Sequence, residues 1–232
     1  MRAVWRVGVA ACAALLGGAP VAGAQDAGPA LPAHRITLAA GVSWAGSYEV
    51  GTERALLTAN RPASPEPYAL FESRSSLAAA TGAEARIGFT VSPSLAIEIG
   101  GAYSRPGVLV AISGDREAPD QALEGDPISQ YVVDAGLVWQ LPRVRLGRRG
   151  RPFLAGGAGY LRQLYAGHTL VETGQLYHVG AGLRYWLRGA SGEGRAVGLR
   201  GDVRAMIRRA GVELDGRVRV YPAATLMLFV GI

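Results

Sequence analysis

Eight stretches of this chain alternate apolar residues with small or polar ones at a period of two, whereas helical spacing is scarce. Such alternation puts successive side chains on opposite faces of an extended strand, so the chain is confined to a sheet whose two faces differ. In the first stretch Ile36, Leu38, Ala40, Val42 and Trp44 oppose Arg35, Thr37, Ala39, Gly41 and Ser43. The second, residues 77–91, sets Leu77, Ala79, Ala83, Ala85, Ile87 and Phe89 against Ala80, Gly82, Glu84, Arg86 and Gly88. Ser92-Pro93-Ser94 then turns the chain into Leu95, Ile97, Ile99 and Tyr103, opposed by Glu98, Gly100 and Ala102, which is a hairpin signal.

The pattern returns at 131–140, where Tyr131, Val133, Ala135, Leu137 and Trp139 alternate with Val132, Asp134, Gly136 and Gln140. Residues 153–161 are assigned by position, because the run Leu154-Ala155-Gly156-Gly157-Ala158-Gly159 declares no parity. Tyr177, Val179, Ala181, Leu183 and Tyr185 oppose His178, Gly180, Gly182 and Arg184. Val197, Leu199, Val203, Ala205 and Ile207 oppose Gly198, Arg200, Asp202, Arg204 and Met206, and a last stretch carries Val218, Val220, Ala224, Leu226, Leu228, Val230 and Ile232. An even number of strands lets a sheet close on itself with both ends on one side. The composition agrees with a packed chain: 49% hydrophobic and 18% charged residues exclude disorder, and 33 glycines without a G-X-Y period exclude collagen.

Residues 1–24 read as a secretory signal peptide, with Arg2 and Arg6 before an apolar run at 7–19 too short to span a bilayer, then Pro20 and the small-residue site Ala22-Gly23-Ala24. Residues 25–34 are then a periplasmic tether and residues 35–232 the folded domain. Cleavage would remove Cys12, the one cysteine, and with it any disulfide or thiolate chemistry. All 24 basic residues are arginine; without Arg2 and Arg6 they leave 22 against 18 acids, an excess too small to mark a nucleic-acid surface. Beyond the leader no stretch has about twenty uncharged apolar residues, so no transmembrane helix is expected.

Alternation alone does not say which face looks inward. A water-soluble barrel hides its apolar face, and a membrane barrel reverses the arrangement. The reversal is favoured here. The polar face is mostly Gly and Ala with scattered Glu, Asp and Arg, suited to a cramped interior. The apolar face carries Trp44, Tyr103, Trp139, Tyr177 and Tyr185 near segment ends, as an interfacial girdle would. Connections alternate in length: 47–74 and 105–126 are long, 92–94 and 142–151 short, the asymmetry of extracellular loops and periplasmic turns. The predicted fold is therefore all-β, an eight-stranded antiparallel up-and-down transmembrane β-barrel.

On these alternating segments, the glycine-rich Gly156-Gly157-Ala158-Gly159-Tyr160 and the closing Ala224-Thr225-Leu226-Met227-Leu228-Phe229-Val230-Gly231-Ile232, the chain resembles the small eight-stranded outer-membrane barrels of the OmpA-like and OmpX-like kind. The resemblance covers about residues 35–232. It departs at the end, where the family's closing aromatic is replaced by Ile232 and Phe229 has the other parity. It implies a bacterial outer-membrane location, a monomer, outer-membrane lipids as partners, and no cofactor.

An eight-stranded interior holds side chains or one small ligand, not a wide pore. The inward face should gather Glu84, Arg86, Glu98, Asp134, Arg184, Arg200, Asp202 and Arg204 as an ionic network, a structural plug in preference to a proton or ion path. No catalysis is expected: a lipid deacylase would need His and Ser together on the membrane-facing side, whereas His34 and His168 fall in the tether and a loop and His178 faces the lumen. No His-x-His or HExxH occurs, and Asp115, Glu117, Asp120, Glu124 and Asp126 lack the calcium-loop spacing. The apolar content of loop 47–74 and the run Val108–Ile112 in loop 105–126, read as a strand extending past the bilayer, suggest an extracellular partner. The role expected is structural or cell-surface interaction, with narrow OmpW-like transport of small hydrophobic molecules as the alternative and a lipid-modifying enzyme less favoured. The turn with Arg143, Arg145, Arg148, Arg149 and Arg151 would face the periplasm.

Overall fold

The computed structural model describes residues 35–57, 68–115, 118–144, 146–147, 149–165, 170–188, 195–212 and 216–232. The predicted leader and tether, with His34, and also Glu117, Arg145, Arg148 and His168, lie outside the described residues. Among the described residues twelve strands follow in chain order: β1 (Ile36–Ala45), β2 (Tyr48–Leu57), β3 (Tyr68–Leu77), β4 (Ala80–Ser92), β5 (Leu95–Ser104), β6 (Val108–Ser113), β7 (Gln121–Gly125), β8 (Ser129–Gln140), β9 (Gly150–Leu164), β10 (Val171–Arg188), β11 (Ala196–Ala210) and β12 (Arg219–Gly231).

Eight of them close into an antiparallel barrel ordered β1-β4-β5-β8-β9-β10-β11-β12. The seam is β1 on β12, running from Thr37 opposite Gly231 to Ala45 opposite Ala223. Every predicted segment supplies one barrel strand. Closure satisfies the backbone of each strand on both sides, which is what permits strands to cross hydrocarbon.

The remaining four strands form a second sheet, ordered β2-β3-β6-β7. They continue the β1–β4 and β5–β8 hairpins past one rim of the barrel. The stretches 47–74 and 105–126, expected as loops with one protruding strand, are thus largely sheet: β3 pairs with β6, and β6 with β7. Short breaks separate each protruding strand from its barrel strand, and backbone bonds bridge them, Ala78 N–H to Gly107 O at 2.9 Å and Ile128 N–H to Pro106 O at 2.9 Å. One consequence corrects the sequence reading. Leu77 does not share the outward face of Ala83 and Phe89; it ends β3 before the break, where the sheet changes face, and is fully buried with Val50 and Ile128.

The barrel wall is apolar outward. Val42, Val133, Val203 and Leu228 are 58–62% exposed, and Trp44, Tyr103, Trp139, Tyr177 and Tyr185 also face out. Glu98, Arg200, Asp202 and Arg204, by contrast, keep 4% or less of their surface. A shell of Val, Leu and Trp around a charged centre is far larger than the apolar patch a water-soluble monomer tolerates, and it matches the solvent inside a bilayer.

Glycine makes room for the charges. A Cβ on Gly100 would sit 2.9 Å from Cζ of Arg86, and one on Gly182 would strike the Phe153 ring and the Gly201 carbonyl. The undeclared parity of β9 is resolved here: Phe153, Ala155 and Leu161 point inward, Leu154 and Tyr160 outward.

Candidate functional site

From the rim where β1 begins and β12 ends, the lumen is filled in layers. The first is apolar: Ala39, Trp186, Ala196, Met227 and Phe229, with Trp186 edge-on to Phe229 at 5.6 Å. Ala96, Val138, Phe153 and Ala155 pack beside it. At the other end Val132, Leu161, Leu176 and Tyr221 close the bore, and Tyr48 from β2 stacks on Tyr221 at 4.6 Å. Between these apolar layers lie the charges.

All eight ionic residues singled out in the sequence are brought together, in one alternating chain. Arg86 donates from Nη1 and Nη2 to the two oxygens of Asp134, at 2.9 and 2.8 Å, and from Nε to Glu84 at 2.5 Å. Glu84 also accepts from Arg204 Nη1 at 2.9 Å. Arg204 Nε lies 2.6 Å from Asp202, which accepts from Arg200 Nε at 3.1 Å. Arg200 Nη1 then donates to both oxygens of Glu98, at 2.6 and 2.7 Å, and Arg184 Nη2 to Glu98 at 2.5 Å. Four carboxylates and four guanidiniums neutralise one another formally, which is the condition for burying ions at tolerable cost.

Sequence reasoning missed two parts of this lumen. Phe153 is one: its ring lies 4.7 Å from Cζ of Arg200 and 5.6 Å from that of Arg184, a cation–π contact to the two guanidiniums that share Glu98. The other is the cap formed around Arg208, which continues the inward parity of Arg200 and Arg204. Arg208 donates to the phenol oxygen of Tyr48, to Gln163 Oε1 at 2.8 Å, and to the carbonyls of Ala210 and Val212, both at 2.9 Å. Gln163 in turn donates to Gln130 at 2.9 Å. Burial pushes the Tyr48 phenol above its ordinary pKa, against the opposing pull of the Arg208 cation, so it stays a neutral hydroxyl. The parity of β11 extended two residues past Met206 would have flagged Arg208; nothing local points to Tyr48.

His178 faces the lumen, its Nε2 3.4 Å from Asp134 Oδ1. Both oxygens of that carboxylate also accept from Arg86, so Asp134 joins His178 to the ionic chain. Among the described residues no group of three or more His, Cys, Asp or Glu gathers where a metal could sit. A cavity of about 50 Å³ remains between the charge chain and the outer cap, bordered by Glu84, Asp134, Arg204, Gln130 and Thr225.

By fold this is a small eight-stranded membrane barrel with a filled bore. Among solved structures it is similar to the outer membrane protein OprG of Pseudomonas aeruginosa, at 11% identity and a TM-score of 0.47, over 86% of this chain and 95% of that one. Neisserial surface protein A is similar at 12% identity and a TM-score of 0.46, over 84% and 94%. The attachment invasion locus protein Ail of Yersinia pestis is similar at 14% identity and a TM-score of 0.38, over 85% and 97%. No family model matches the sequence, and no curated protein matches it. The architecture stands on the strand pairing described above.

Proposed function

We propose that the chain is an exported bacterial outer-membrane protein, targeted by residues 1–24, whose barrel is a sealed anchor and whose protruding β2-β3-β6-β7 sheet is the working surface. Its role on this reading is structural support of the envelope and interaction at the cell surface, as a monomer.

The observation that carries the reading is the ionic chain locked between two apolar layers. The described side chains fill the bore, and the cavity of about 50 Å³ beside them has room for water. Transport along the axis is therefore disfavoured. The sheet, in contrast, stands clear of the wall and presents β7 as an exposed edge, the kind of feature that an extended segment of another protein can join.

Two measurements test this together. Detergent-extracted protein should migrate faster unheated than boiled on a gel, as a closed lipid-embedded barrel does, and planar bilayers containing it should show no unitary conductance. Stable single-channel steps would replace the sealed-anchor reading with a transport one. Release of fatty acid from lipid vesicles, abolished by His178→Ala, would replace it with an enzymatic one.

A further inference from the structure

We infer that the rim where β1 begins and β12 ends is a binding collar for anionic phospholipid headgroups; the inference rests on the membrane-barrel reading. Arg35, Arg143, Arg149, Arg188 and Arg195 are exposed there, supplied by three separate stretches of chain: the approach to β1, the β8–β9 turn, and the two ends of the β10–β11 connection. Among the described residues of this rim there is no Asp or Glu. The opposite end differs. Glu49, Glu53, Glu72, Asp120, Glu124 and Asp126 stand among its arginines, and Arg54 and Arg74 pair with Glu72 and Glu49. Among the described residues, then, the arginines of this rim have no acid beside them, whereas those of the opposite end do; the β10–β11 connection also carries Glu193, which lies outside the described residues.

Charge alone would suit any anion. The second observation is what accompanies the arginines: Val144 and Leu146, in the same turn as Arg143 and Arg149, are 49% and 57% exposed, and the turn is tied to the wall by a bond from Trp186 N–H to Arg149 O at 3.0 Å, with Trp139 and Leu187 exposed on the strands that lead to this rim. Exposed apolar side chains are therefore present in the basic turn itself as well as on the wall. A hydrated polymer would meet the guanidiniums and leave Val144 and Leu146 in water. A lipid leaflet accommodates both: acyl tails cover the apolar side chains, while arginine stems lie along the hydrocarbon edge and their planar heads meet phosphate bidentately. The collar accordingly selects phosphatidylglycerol-type headgroups over zwitterionic ones.

Tryptophan quenching reads this directly, since Trp139 lies near the collar, Trp44 near the opposite rim, and Trp186 inside the lumen. In a Trp5→Phe, Trp44→Phe background, the full chain is reconstituted in phosphatidylcholine vesicles carrying brominated phosphatidylglycerol or brominated phosphatidylcholine at equal mole fraction. The anionic lipid should associate about threefold more strongly, with the preference lost in high salt. Replacing Arg143, Arg149, Arg188 and Arg195 by Gln should bring the ratio to one, whereas Arg54→Gln with Arg74→Gln should leave it unchanged. A ratio of one in wild-type protein that still shows the heat-modifiable gel shift overturns the collar and leaves the barrel reading intact. Persistence of the preference in the fourfold Gln variant also overturns the collar. Failure of the protein to insert into either vesicle overturns both readings.

Discussion

Two sets of ion pairs in this molecule have nearly the same geometry and very different surroundings. On the protruding sheet, Arg54 and Glu72 meet at 3.0 Å with side chains 69% and 31% exposed. In the lumen, Arg200 and Glu98 meet at 2.6 Å with 2% and 3% exposed. Water screens the first pair and solvates either partner if the other is lost, so its contribution is small. The second pair has neither screening nor a fallback. The same chemistry is decoration on the sheet and a structural obligation in the bore.

The sharpest way to break that contrast is to remove the carboxylate shared by two guanidiniums. Glu98→Ala leaves Arg184 and Arg200 facing each other and should cost about 3–5 kcal/mol, read as the urea midpoint of unfolding from lipid vesicles. Arg200→Ala should act in the same range, by leaving Glu98 with Arg184 alone and Asp202 with Arg204 alone. The double variant should cost clearly less than the sum of the two, because each single change owes much of its effect to the partner left behind.

Next in size is the wall. Val203→Arg places a cation mid-strand on the lipid face and should cost about 2–4 kcal/mol in vesicles. Ala111→Arg on the protruding sheet should be nearly silent in the same assay. Equal effects at the two sites would place both in the same solvent and defeat the membrane reading.

Packing among the buried charges comes third. Gly182→Ala drives a methyl into the Phe153 ring and the Gly201 carbonyl, and since Arg184 and Arg200 hold that ring, overpacking should cost about 1–3 kcal/mol by the same midpoint. Smallest of all, Arg54→Ala should shift stability by about 0.2–1 kcal/mol or less, the range of exposed pairs.

How much of this was legible beforehand follows from the range of each interaction. Strand positions and face parity are local, because a period of two fixes which side chains are co-facial whatever lies opposite. The eight ionic residues could therefore be placed on one face without knowing their partners. Leu77 was misplaced because its parity continues evenly across a break at which the chain passes from one sheet to another, and a two-residue break leaves no mark in an alternating pattern. Phe153 was left open because Leu154 through Gly159 offers no contrast in size or polarity between its two faces. Tyr48 reaches Arg208 across 160 positions of sequence, a separation at which no local pattern speaks.

The sequence by itself determined the number of barrel strands, the composition of the inner and outer faces, and that opposite charges would share the interior, since all three depend on spacing and side-chain type along single strands. Only the tertiary structure decided which arginine meets which acid, that Phe153 lies against two of the cations, and that the long connections rise as a second sheet. Those outcomes depend on register between strands far apart in the chain, and register is set when the ring closes and every inward side chain must fit its neighbours at once.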